Sequence, residues 1–162
     1  MRRIAFPCSL SVGTDVVYLP RIRRLISKRE GRNLIPFAKR ILHPLEIRDL
    51  SHRHPQWQAQ HEKSCVDSES LIKWLGGRFA AKEAARKAMG ATTLGWKDVR
   101  VEVKGSGEPQ IICAIRDIEN ENIEREAKLS LSHDGDYVVA TVLAAATPEI
   151  STSRALQDIK SS

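Results

Sequence analysis

The residues best equipped for chemistry crowd into one stretch, Gly76 to Gly90, where Arg78, Lys82, Arg86 and Lys87 surround a single carboxylate, Glu83, with Phe79 among them. Read as a helix at about 100° per residue, these side chains share one half of the surface. Four cations around one acid repel each other, and a bound polyanion would relieve the repulsion. Phe79 would then supply an apolar surface beside the anion site. The plainer reading is a solvated helix side, with Glu83 and Lys87 an i,i+4 pair worth roughly 0.2 to 0.5 kcal/mol. A second carboxylate, Asp15, falls toward the end of the alternating, β-branched run of residues 10–17, which reads as a strand ending near Asp15.

These groups need elements to hold them. On the other half of the Gly76–Gly90 helix lie Ala80, Ala81, Ala84, Ala85 and Ala88, a small-residue face that lets another backbone approach closely. The helix is expected to begin near Ser70, to bury Leu71, Ile72, Trp74 and Leu75, and to end at Gly90 in the left-handed conformation. Pro20 suits the first turn of a helix running to about Glu30, apolar along Ile22, Leu25 and Ile26 and basic outside through Arg21, Arg23, Arg24, Lys28 and Arg29. Phe37, Lys39 and Arg40 would extend that basic surface. A further helix is read over Leu42–Leu50, opened by His43-Pro44, with Glu46 and Arg48 exposed.

Residues 51–69 read as a polar loop, since the spacing of His52, His54, His61 and Cys65 matches no common zinc pattern. Val99–Val103 and Gln110–Ile115 alternate around Gly105-Ser106-Gly107 and read as a β-hairpin. Residues 116–126 are highly charged and suggest a short helix. Lys128–Leu131 and Tyr137–Leu143 make a last pair of strands around His133-Asp134-Gly135-Asp136. The division expected is one domain over 1–146 and a polar tail over 147–162.

A chain of 162 residues with 41% apolar content can bury one real core. Its 26 basic and 20 acidic residues leave a charge of +6, which calls for an anionic partner without saying whether that is nucleic acid, a phosphorylated cofactor or an acidic protein. Aromatics are only 5% and no nucleic-acid-binding pattern is present, so a basic nucleic-acid module ranks second and no nucleic acid is expected as partner. Cys8, Cys65 and Cys113 are odd in number and lack CxxC spacing, which supports neither a disulfide framework nor zinc. No apolar run reaches the ~20 residues of a membrane span, so no membrane role is expected.

Arg78-Phe79-Ala80-Ala81-Lys82-Glu83-Ala84, followed by Lys87-Ala88 and Gly90, resembles the signature helix of the holo-acyl-carrier-protein synthases, the small 4'-phosphopantetheinyl transferases. Val12-Gly13-Thr14-Asp15-Val16-Val17 resembles their first strand, and Leu129-Ser130-Leu131-Ser132-His133 with Tyr137-Val138-Val139-Ala140 their last hairpin. Trp96-Lys97-Asp98-Val99 and Gly107-Glu108-Pro109 match two more segments, in order. The resemblance covers most of residues 10–145.

It implies an α+β fold with the long signature helix packed on an antiparallel sheet. It also implies transfer of 4'-phosphopantetheine from coenzyme A to a serine of apo-acyl-carrier protein. Asp15 and Glu83 match the family's Mg2+ ligands, and Glu83 could relay the serine proton. Lys82 and Lys87 would meet phosphate oxygens and Arg78 a phosphate at the nucleotide end, with Phe79, Gly90, Gly107, Pro109, Ser132 and His133 also on the cofactor. Arg21, Arg24, Phe37 and Arg40 would dock the acidic carrier protein. A homotrimer with sites at subunit interfaces is implied too. Two positions depart from the pattern, since Tyr18 stands where the family usually has Glu and Ser11 where it often has Gly. The first fourteen residues, with Arg2, Arg3, Ser9, Ser11 and no acid, have the character of a short mitochondrial presequence. A fungal mitochondrial form is therefore expected, with a bacterial cytoplasmic enzyme as the alternative.

Overall fold

In the computed structural model, residues 10–58, 68–90, 94–116 and 122–145 are described. The chain order is β1 (Leu10–Tyr18), α1 (Leu19–Ile26), α2 (Leu34–Ile41), α3 (Pro44–Arg53), α4 (Glu69–Met89), β2 (Val99–Val103), β3 (Pro109–Arg116), β4 (Asn122–Asp134) and β5 (Tyr137–Ala145). The strands form one antiparallel sheet in the order β1-β5-β4-β3-β2. This is the α+β arrangement expected, with the long helix against the sheet.

Period-two patterning decides which face meets α4. Val138, Ala140, Val142 and Ala144 of β5 turn inward and are buried, as are Gly13 and Val17 of β1. Gly13 is where strand and helix come closest. A Cβ there would lie 2.0 Å from the Ala84 carbonyl oxygen and 2.6 Å from the Ala88 nitrogen, so only glycine lets β1 cross α4. The alanine face of α4, wholly buried, is the other half of that contact.

The opposite side of α4 is not a solvated surface in its middle. The three short helices cover it, and Leu34, Phe37, Ala38, Ile41, Leu42 and Leu50 join Leu71, Ile72 and Leu75 in the core. α2 is an element that charge-based reading overlooked, although Leu34, Phe37, Ala38 and Ile41 have the 0, 3, 4, 7 spacing of a buried helical stripe. Phe37 is accordingly core and not docking surface, stacked 6.2 Å from Phe79.

Boundaries shift for physical reasons. α1 stops at Ile26, short of Glu30, because Arg29, Glu30 and Gly31 all take positive φ and turn the chain, while the Asn33 amide donates to the Leu25 carbonyl at 2.7 Å. α3 starts after Leu42, at Pro44, with His43 as its cap, and runs on to Arg53. Trp57 then buries itself and donates its ring N–H to Ser51 Oγ at 2.9 Å, so the start of the 51–69 stretch is anchored. His61 and Cys65 lie outside the described residues, as do Cys8 and the tail from 147.

Asn122 to Glu126, part of the short helix expected over 116–126, belong instead to β4, with Ile123 opposite Ile115 and Glu124 opposite Ala114. Their charges alternate outward, where Arg100 reaches across from β2 to grip both oxygens of Glu124 at 2.7 and 2.9 Å. The β2–β3 hairpin is as expected, turning through Gly107 at φ 88°.

Candidate active site

β1 runs on to Tyr18, so Asp15 sits in the middle of an edge strand and not at its end. It shares the inward face with Gly13 and Val17, and the close crossing at Gly13 delivers it to the last turns of α4. There Lys87 Nζ donates to Asp15 Oδ1 at 2.9 Å and to the Thr14 carbonyl at 2.8 Å. Glu83, one turn earlier on α4, is held by Arg86 Nη1 at 2.9 Å, and Arg86 Nε donates to the Leu94 carbonyl. Each carboxylate thus has one oxygen engaged by a cation. Both are largely but not wholly covered, with side-chain exposures of 17% for Asp15 and 26% for Glu83.

Two hard carboxylates on separate rigid elements suit a small divalent cation that completes its shell with water and phosphate oxygens. Among the described residues no group of three or more His, Cys, Asp or Glu gathers, so no all-protein metal cage is formed there. This donor set fits the magnesium expected.

Lys82 differs from Lys87 in its burial. Its side chain has 0% exposure, and its ammonium meets Glu46 Oε2 at 2.6 Å, the Ile41 carbonyl at 2.7 Å and the Trp96 carbonyl at 3.0 Å. An ammonium has three N–H donors, and all three are used. The expectation that Lys82 meets phosphate oxygens is therefore corrected. Burial pulls its pKa below the ordinary lysine value, against the opposing pull of Glu46. Glu46, which sequence reading left as an exposed residue, is the missed member. His43-x-x-Glu46 was the available signal, for it is a capping box in which His43 Nδ1 accepts from Leu45 N and Glu46 accepts from His43 N at 2.9 Å.

Arg78 is buried too, stacked 4.1 Å from the centre of the Trp74 ring, and its Nε has no hydrogen-bond partner among the described residues. Phe79 lies between Phe37 and Trp96, 4.9 Å from the latter ring, as a half-buried apolar wall. Gly90 has φ 92°, positive as expected, but its ψ of 100° departs from the regular left-handed cap.

The remaining expected residues do not converge in one chain. Ser132 and His133 are successive in β4 and so point to opposite faces. His133 lies on the helix side beside Gly77, with its Nε2 3.9 Å from where a Cβ would stand. Gly77 precedes Glu83 by about 9 Å along the helix. Pro109 opens β3 and Gly107 lies in the turn before it, three to four strand spacings, or roughly 14 to 19 Å, from β1. Arg21, Arg24 and Arg40 are exposed on α1 and α2.

The model of the 4'-phosphopantetheinyl transferase superfamily matches residues 11–142, which span every element from β1 into β5. The chain belongs to this family. It is 48% identical over 159 residues to 4'-phosphopantetheinyl transferase B, mitochondrial, of Aspergillus fumigatus, covering 90% of this chain and 99% of that one. Among solved structures it is similar to holo-[acyl-carrier-protein] synthase of Neisseria meningitidis, with 29% identity, TM-score 0.57 and coverage of 83% and 96%. It is also similar to the Helicobacter pylori synthase in complex with coenzyme A, with 26% identity, TM-score 0.50 and coverage of 81% and 96%. In this phosphopantetheinyl transferase the glycine crossing sets the strand that carries Asp15 against the helix that carries Glu83.

Proposed function

We propose that this transferase moves 4'-phosphopantetheine from coenzyme A to a serine of an apo-acyl-carrier protein in the mitochondrion, at a site where Asp15 and Glu83 hold Mg2+. The observation that carries the reading is the junction at Lys87, whose ammonium bridges Thr14 and Asp15 of β1 while its own helix presents Glu83 one turn away. When bound there, Mg2+ supplies positive charge to the pyrophosphate oxygens. Lys87, half exposed, adds a mobile point charge for the same oxygens. Arg78, stacked and unpaired at Nε, offers an N–H toward a phosphate at the nucleotide end.

The serine Oγ attacks the β-phosphorus as the bond to the bridging oxygen breaks. Adenosine 3',5'-bisphosphate departs with that bond's electron pair. Glu83 takes the serine proton, directly or through water. Arg21, Arg24 and Arg40, exposed on neighbouring helices, face the acidic carrier.

A homotrimer with shared sites is part of this reading. Leu10, Val12, Val16 and Tyr18 of β1 and Tyr137 and Leu143 of β5 are exposed together on the sheet face away from α4, as an interface between copies requires. Gly107 and Pro109, too far from Asp15 in one chain, would then serve a neighbour's site. The 48% identity to a mitochondrial relative supports the compartment.

Incubation with coenzyme A, Mg2+ and apo-carrier, read by intact mass, should give a carrier heavier by one phosphopantetheine. Asp15→Ala and Glu83→Ala should each abolish this without loss of fold. Full activity of either variant, or of the wild type in excess chelator, would falsify the metal assignment.

A further inference from the structure

Glu46 and Lys82 are both virtually without solvent contact, yet neither touches Asp15 or Glu83. Their connections reach four parts of the fold. Lys82 ties α4 to the carbonyl ending α2, at Ile41, and to the Trp96 carbonyl in the loop entering β2. Glu46 accepts from His43 N at the start of α3 with one oxygen and from Val101 N of β2 with the other, at 3.0 Å. β2 is the sheet edge opposite β1, so this second bond occupies an edge N–H that would otherwise lack a strand partner.

Lys82 directly precedes Glu83. Successive helical residues differ by about 100° in azimuth and 1.5 Å in rise, so whatever fixes the direction of Lys82 fixes that of Glu83 as well. α4 is clamped at two points around its circumference. On the β1 side the clamp is steric, Gly13 against Ala84 and Ala88. On the far side the clamp is ionic, Lys82 on Glu46. A metal-binding pair spread over two elements needs both directions held to within about 0.5 Å.

From this geometry we propose that Lys82 and Glu46 are positioning residues for the cation site, setting the rotation of α4 that aims Glu83 at Asp15. The proposal rests on the reading that Asp15 and Glu83 hold the cation. It assigns to Lys82 a role through Glu83, in place of contact with phosphate.

The test is a comparison of the wild type with Lys82→Met/Glu46→Leu, which replaces the buried pair by apolar side chains, a change that folds often tolerate. Mn2+ binding in the presence of coenzyme A, read by electron paramagnetic resonance, should weaken about tenfold or more in the double variant. The Mg2+ concentration for half-maximal transfer should rise in parallel, while the KM values for coenzyme A and carrier at saturating Mg2+ stay within about twofold. Glu46→Gln, which keeps an acceptor in place, should retain the fold and show a smaller shift in the same direction, and it carries the test if the double variant does not fold. A folded variant with unchanged Mn2+ affinity overturns the proposal. So does a rise confined to the KM for coenzyme A, which would put Lys82 on the phosphates after all. Asp15→Ala measured alongside separates the premise from the proposal, since Mn2+ binding that survives that change removes the cation reading itself.

Discussion

Lys82 and Lys87 stand five residues apart on one helix, and each pairs with a carboxylate from an earlier element, yet they inhabit different physical regimes. The Lys82–Glu46 pair has side-chain exposures of 0% and 1%, and the Lys87–Asp15 pair 50% and 17%. In the first, every donor and acceptor must find a partner because water is absent, and each does. In the second, water screens the attraction and leaves the groups free to exchange partners. Identical ion-pair chemistry therefore gives a fixed link at one position and an exchangeable one at the other, and burial alone decides which.

The contrast can be broken by removing one partner of each pair. Glu46→Ala leaves a lysine buried with no counter-charge and should cost about 3 to 5 kcal/mol of stability. Lys87→Met should change stability by less than about 1 kcal/mol. Chemical denaturation of the two variants checks both numbers, and comparable losses would mean that the pairs are not of different kinds. Gly13→Ala should follow in size, destabilising by about 1 to 3 kcal/mol because the new methyl meets the α4 backbone. Transfer activity should fall with it as Asp15 moves away from Glu83, and an unaltered variant would show that the crossing can relax.

Next comes the cap beside Glu46. His43 accepts from Leu45 N only when neutral, and burial, with Arg100 nearby, lowers its pKa from the usual 6.5. The folded protein thus resists the proton that the unfolded chain takes up. Its contribution is complete above about pH 6.5 and is lost as pH falls through that value toward the lowered one. His43→Asn, a cap that does not titrate, should flatten this part of the stability–pH curve between pH 7 and 5. An unchanged slope would place the proton elsewhere.

The smallest effect belongs to the exposed arginines. Arg21→Ala with Arg24→Ala should raise the KM for carrier several-fold, spare that for coenzyme A, and make activity less sensitive to salt, which screens over roughly 8 to 10 Å. A rise for coenzyme A alone would move α1 into the cofactor site.

Much of this was legible in the residues. The alanine face of α4, the β2–β3 hairpin and the inward run of β5 follow from periodicity, because each buries one face against one neighbour. Glu83 and Asp15 stood out by type and setting. What local pattern could not give was the far side of α4. Lys82 looks like any helical surface lysine until Glu46, in another helix, removes it from water. Phe37 looked like a surface aromatic because arginine and lysine follow it, although its spacing to Leu34, Ala38 and Ile41 belongs to the core. β4 was read too short because its outward glutamates mimic a charged helix, and only the Arg100 bridge explains why they alternate.

α1 is only eight residues long, too short to hold itself together in water. Its opening N–H, at Leu19, donates to the Asp136 carbonyl in the β4–β5 turn at 2.7 Å, and directly before it the Tyr18 ring rests on Tyr137 with centres 5.1 Å apart. The arginine-bearing helix is thus mounted on the sheet before any partner arrives. For the carrier docking proposed above, an α1 already ordered in this way would lose little conformational entropy at the encounter, so that a modest set of screened charges would suffice for a complex that forms and releases quickly.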